Sequence, residues 1–169
     1  MRQTFWTRLD GFARALAPTS LTLLLVIVGL LPMTAISFSA IFPSLALIGV
    51  YYWQIHRPDL MPLAAVFVLG LLADFLGGGT LGVGTIALLV VALTVGLWRR
   101  FFVEAAFLAT WLIFALIAGG AFALMWLLAS FAAETWIEPR PALFQYFSTV
   151  ALYPCFAWLF VQAQRTFLR

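Results

Sequence analysis

Besides its hydroxyl side chains, this chain of 169 residues offers only six carboxylates, one histidine and one cysteine for acid–base, nucleophilic or metal chemistry. Asp74 stands out among them. It lies in the run Gly70-Leu71-Leu72-Ala73-Asp74-Phe75-Leu76-Gly77-Gly78-Gly79-Thr80-Leu81-Gly82, inside a long apolar stretch. A carboxylate at bilayer depth costs about 2.5–3.5 kcal/mol on insertion scales, so its presence needs a reason. Three readings are open. It is a helix-end carboxylate bonded to water or to the amides of the glycine turn; or a contact for a partner chain or small polar ligand; or a proton or ion relay. A relay needs further polar groups at depth, and only Thr80, Thr85 and Thr94 accompany it. Structure combined with contact therefore ranks first, with Asp74, Gly77, Gly78, Gly79 and Gly82 as the candidate turn.

The other chemistry is thin. A nucleophile needs a base within reach, yet His56 sits in a loop sequence far from Cys155. Glu134 and Glu138 stand four apart at the rim of a span and read as a solvated pair, not as the two acids of a glycosidase. Glu104, close after Arg99-Arg100, reads as ordinary stabilisation of a helix start. The segment 77–84 lacks the Lys-Ser/Thr that completes a phosphate-binding loop. One cysteine and one histidine leave no thiolate cluster and few ligands for a transition metal. The residues point away from enzymatic activity, and no cofactor is expected.

Composition dictates the elements that must position these residues. The chain is 65% hydrophobic and 9% charged, with a mean hydropathy of +1.11, where a soluble domain carries about a quarter charged residues. Spans need about 20 apolar residues each. We therefore expect an all-α integral membrane protein, a single six-span domain over 20–169, preceded by an interfacial amphipathic helix over 1–19. In that helix Phe5, Trp6, Leu9, Phe12 and Leu16 recur at helical spacing. The spans fall at about 21–38, 40–54, 60–76, 81–98, 102–131 and 142–163. Pro32 is expected to kink the first. Tyr51-Tyr52-Trp53 reads as an aromatic belt ending the second. The loop His56-Arg57-Pro58-Asp59 follows, with Asp59 a possible cap for the third span. Ala115, Gly119 and Ala123 are spaced for close helix packing in the fifth.

All nine basic residues are arginine. Arg2, Arg8, Arg14, Arg57, Arg99, Arg100, Arg165 and Arg169 fall on one side of such a bundle and only Arg140 on the other. By the positive-inside rule both termini are cytoplasmic, and the 74–82 turn and the 132–141 loop face outward. The basic balance is thus an orientation signal, not a nucleic-acid surface.

The order of short motifs resembles one family. Phe42-Pro43-Ser44-Leu45, Tyr52-Trp53, His56-Arg57-Pro58-Asp59, Gly70 to Asp74, Gly78-Gly79-Thr80-Leu81-Gly82 and Leu152-Tyr153-Pro154 together resemble the rod shape-determining protein MreD family over about residues 21–165. Gly84 departs from its pattern, which has a polar residue such as His or Asn there. The resemblance implies a non-enzymatic scaffold of the bacterial cell-elongation complex in the inner membrane, supporting lateral-wall peptidoglycan synthesis and cell shape. Its implied partners are MreC first, then RodA and the elongation-specific penicillin-binding transpeptidase, with MreB indirect, besides membrane lipid. It also implies a fold similar to the substrate-binding subunits of energy-coupling-factor transporters. That likeness supplies the alternative: a small-molecule-binding subunit of a vitamin-type transporter, with an outward pocket lined by Asp74 and aromatics. Tyr52, Trp53, Arg57, Pro58 and Asp59 are the cytoplasmic loop candidates.

Overall fold

The computed structural model describes residues 20–27, 43–78, 80–103 and 106–167, with side chains at 102, 103 and 163–167 excepted. The expected amphipathic helix over 1–19, Pro32, the start of the second span, Gly79 and Glu104 lie outside the described residues. Every described element is helical: α1 (20–27), α2 (Leu45–His56), a short 3-10 turn (Pro58–Leu60), α3 (Leu63–Gly77), α4 (Val83–Val103), α5 (Phe107–Ala132) and α6 (Arg140–Phe167).

At 1.5 Å per residue, α4, α5 and α6 run about 32, 39 and 42 Å, enough to cross a hydrocarbon layer of about 30 Å. Each carries a segment apolar enough to do so: Val83–Phe101, Phe107–Ala132 and Arg140–Gln162. The chain is a membrane protein by these three helices. α3 is apolar but only 15 residues long, and α2 has 12. Three of the six expected spans thus appear at full length among the described residues.

α2 is the hub. It packs against α3, α4 and α6, while α3–α4, α4–α5 and α5–α6 pack pairwise around it. Residues 45–55 of α2 are all buried, and Thr22 of α1 lies fully buried against Gly49. The aromatic run therefore does not form a surface belt: Tyr51, Tyr52 and Trp53 are 0%, 2% and 2% exposed. They pack with Phe114 of α5 and with Tyr153 and Phe160 of α6, at ring-centroid separations of 4.9 Å for Tyr51–Phe114, 4.9 Å for Tyr52–Phe160 and 4.3 Å for Phe114–Tyr153. An aromatic triplet at a helix end suits an interface or a core equally well. Here the helices on either side close over it.

The start of α2 explains its length. Pro43 and Ser44 precede the helix, and the Ser44 N–H donates to Thr149 Oγ1 at 2.9 Å. Thr149 lies nine residues into α6, about 13 Å along that helix, so α2 begins deep in the bundle. Its first amides need internal partners where water is absent. At its other end the Gln54 side-chain amide donates to the Met61 carbonyl at 2.9 Å, and Met61 is fully buried. These contacts lock the 57–62 turn. Pro62, with no capping side chain, precedes α3, so Asp59 is exposed in the 3-10 turn and does not cap α3 as expected.

A second backbone defect is compensated from a neighbour. Pro154 lies inside α6 and has no N–H to give the Val150 carbonyl four residues earlier. That carbonyl instead accepts Trp111 Nε1–H of α5 at 3.0 Å. Tyr51 Oη–H to the Thr110 carbonyl (3.0 Å) and Tyr146 Oη–H to the Ala115 carbonyl (3.2 Å) add two more such bonds between helices.

Candidate functional site

The Asp74 turn is built by the close crossing of α3 and α4. A Cβ added at Gly70 would lie 2.8 Å from the Thr85 backbone, so glycine is what lets the two helices approach. α3 ends at Gly77, and Gly78 takes the left-handed conformation (φ 65°) that turns the chain back. Gly82, at φ 93°, sets the start of α4. A side chain at either would strain the backbone.

Gly82 occupies the position before α4 where Ser, Thr or Asp would normally satisfy the first helical amides, and it has no side chain to do so. Asp74 does it from the other helix. Its Oδ2 accepts the Gly82 N–H at 2.9 Å, the Thr85 N–H at 3.0 Å and the Thr85 hydroxyl at 2.8 Å. The charge faces the positive end of the α4 dipole, and Thr85 is 2% exposed. Oδ1 lies over Gly84, where an added Cβ would collide with it. A larger residue at 84 would therefore displace the carboxylate. The lack of a polar side chain there is the steric counterpart of the Asp74 bond set.

The remaining candidates separate. Tyr52 and Trp53 are core residues, not loop residues. Arg57 and Pro58 are half-buried in the locked turn, and Asp59 is exposed. The His56 ring stacks on Tyr52 at 4.2 Å and donates Nδ1–H to the Tyr52 carbonyl at 2.9 Å. In α5, Ala115 and Gly119 meet Tyr146 of α6, so small residues there make room for a ring; Ala123 is exposed and lies outside that contact. Arg99, beyond the expected end of the fourth span at 98, lies within α4, and its side chain donates Nε–H to the Ile55 carbonyl at 3.0 Å. Cys155 is exposed on α6.

Three positions were not among the sequence candidates: Trp111, Thr149 and Thr85 as an Asp74 partner. Pro154 is the signal that points to Trp111, since a proline within a span leaves a carbonyl four residues earlier in need of a donor. Nothing local marks Thr149, whose partner is 105 residues away.

At the opposite end from the 57–62 turn, the 132–139 loop folds back on α5. Trp126 Nε1–H donates to the Ile137 carbonyl at 2.9 Å, and the Ile137 N–H reaches Ser130 Oγ at 3.4 Å. Glu138 pairs with Arg140 at 3.1 Å, with both side chains mostly in solvent, an arrangement worth little energy. Among the described residues no three His, Cys, Asp or Glu side chains come together as a metal site. What the Asp74 turn does with its carboxylate is fasten two helices.

Comparison with curated proteins and with solved structures finds no match. The family model of the rod shape-determining protein MreD matches residues 12–163, a range that takes in α2, the Asp74 turn, the Trp111–Val150 bond and the membrane-crossing segments of all three long helices. On that match over nearly its whole length, the chain belongs to the MreD family and is a membrane protein of rod-shape determination.

Proposed function

We propose that the chain is a non-enzymatic scaffold of the bacterial cell-elongation complex in the inner membrane, binding MreC and through it supporting lateral-wall peptidoglycan synthesis. RodA and the elongation-specific transpeptidase are further partners, and MreB is linked indirectly. Both termini are cytoplasmic, and the Asp74 turn and the 132–139 loop face outward. The observation that carries this reading is the family match over residues 12–163. The interior favours a scaffold over a vitamin-type carrier, because Tyr51, Tyr52, Trp53, Phe114, Tyr153 and Phe160 occupy it with their own rings.

The face that meets MreC is assigned to α3 in this proposal. α3 packs on α4 and less extensively on α2, leaving Phe67, Val68, Leu71, Leu72, Phe75 and Leu76 exposed along one side. At about 22 Å it is shorter than the hydrocarbon layer, a mismatch that association with a second helix relieves. The Asp74 bonds hold the outer end of this face in place.

Affinity purification of the tagged chain from membranes, with identification of the chains that accompany it, tests the proposal. It expects MreC to be recovered, and a photo-crosslinking residue at Phe75 to capture MreC more strongly than one at Leu116 on α5. Loss of MreC under conditions that keep other membrane complexes intact would overturn it.

A further inference from the structure

The end of the bundle that carries the 57–62 turn and the last turn of α4 gathers Arg57, Arg99 and Arg100. Orientation in the membrane asks only that arginines lie on one side; it does not ask that they be fixed. Here the Arg99 side chain is, and Arg57 stands on a locked backbone. Arg57 is half-buried at the C-terminal cap of α2, its backbone N–H bonded to the Trp53 carbonyl at 2.8 Å. Pro58 and the Gln54–Met61 bond hold the turn behind it. Arg99, also half-buried, spends its Nε–H on the Ile55 carbonyl, two residues before Arg57. That bond places the Arg99 guanidinium beside the last turn of α2. Arg100 follows on α4 and is exposed.

Among the described residues, none of these three arginines has a carboxylate within ion-pair distance. Among the described residues Asp59 is the acid of this end; it is exposed in the 3-10 turn and pairs with none of them. Trp98 and Phe101 flank the arginines in sequence and are 57% and 69% exposed, their rings 5.7 Å apart. Exposed aromatics beside fixed cations are what the boundary between acyl chains and headgroups offers a partner for. A guanidinium held by one N–H keeps its other donors for a phosphate oxygen, and pre-fixing it lowers the ordering cost of binding.

We propose that Arg57, Arg99 and Arg100 form a binding site for the phosphate of an anionic phospholipid headgroup, with Trp98 and Phe101 against its acyl chains. The site is independent of MreC binding, and either proposal can fail alone. The test uses the purified full chain reconstituted in phosphatidylcholine vesicles. The association of spin-labelled phosphatidylglycerol is read against spin-labelled phosphatidylcholine. An arginine near the surface is worth about a fivefold preference for the anionic lipid. The Arg57→Gln/Arg100→Gln variant lowers that preference at least fivefold, while Arg140→Gln at the other end leaves it unchanged. Recovery of the folded chain by size-exclusion chromatography accompanies each variant, and Arg57→Lys/Arg100→Lys, which retains charge, recovers part of the preference. Equal association of the two lipids with the unsubstituted chain would overturn the site. So would an equal loss in Arg140→Gln. Displacement of the labelled phosphatidylglycerol by millimolar inorganic phosphate would assign the site to a soluble phosphate and overturn the lipid assignment.

Discussion

Replacing Asp74 by alanine removes the acceptor for the Gly82 N–H, the Thr85 N–H and the Thr85 hydroxyl together. Loss of a helix cap costs about 0.5–2 kcal/mol. Thr85 is buried, so its donors go without water and add about 1–3 kcal/mol. The sum is about 1.5–5 kcal/mol, or roughly a 10- to 4,000-fold change in the folding equilibrium. Asp74→Asn keeps an acceptor of the same shape and loses mainly the charge–dipole term, about 0.3–1 kcal/mol. Gly84→Ala leaves Asp74 in the chain but drives its carboxylate off the amides, because the new Cβ takes the place of Oδ1. It should therefore cost nearly as much as Asp74→Ala. In the double variant the carboxylate is gone and the added methyl group has nothing to displace, so Gly84→Ala is neutral or gains up to about 1 kcal/mol from helix propensity. Reversible unfolding of the four proteins in mixed detergent–dodecyl sulfate micelles closes the double-mutant cycle. Additive costs at 74 and 84, or an Asp74→Ala variant within about 0.5 kcal/mol of the parent, would refute the capping argument.

Other outcomes follow from the same bonds. Trp111→Phe leaves the Val150 carbonyl without its donor and should cost about 0.6–1.7 kcal/mol, the range for hydrogen bonds between spans. In a Pro154→Ala background, where residue 154 regains its N–H, the same change should cost little; equal costs in both backgrounds would show that the proline is irrelevant to it. Tyr51→Phe, which removes the bond to the Thr110 carbonyl but keeps the ring, should cost about 1 kcal/mol. Tyr51→Ala should cost about 3–5 kcal/mol by opening a void beside Phe114 and Tyr153, and unfolding midpoints separate the two. Glu138→Gln breaks a solvent-exposed ion pair and should move stability by less than about 1 kcal/mol.

How much of this was legible beforehand depends on the range of the interaction. The Asp74 turn could be read because burying a charge is costly and its partners lie within 11 residues. The α3–α4 hairpin and the long helices followed from apolar length, and their ends shifted by a few residues. Tyr52 and Trp53 were misread because rings at a helix end are equally at home in an interface and a core; only the packing of α6 over them decides. The brevity of α2 was hidden for a similar reason. Its apolar sequence continues upstream, and the hydroxyl that meets the Ser44 amide just before it belongs to α6. Arg99-Arg100 looked like a loop because charge usually ends a span, yet Arg99 stays helical by reaching the end of α2.

The Ser44–Thr149 bond also bears on how the protein is made. During synthesis the chain emerges from its N-terminal side, and α2 enters the membrane about a hundred residues before the threonine that completes it. Until α6 arrives, a 12-residue helix whose preceding Ser44 N–H lacks its acceptor must wait in lipid or in the care of the insertion machinery. Completion of the last helix is therefore the step that commits the first half of the bundle to its final place. A ribosome stalled before residue 149 would hold a membrane-inserted chain whose central helix has no settled start.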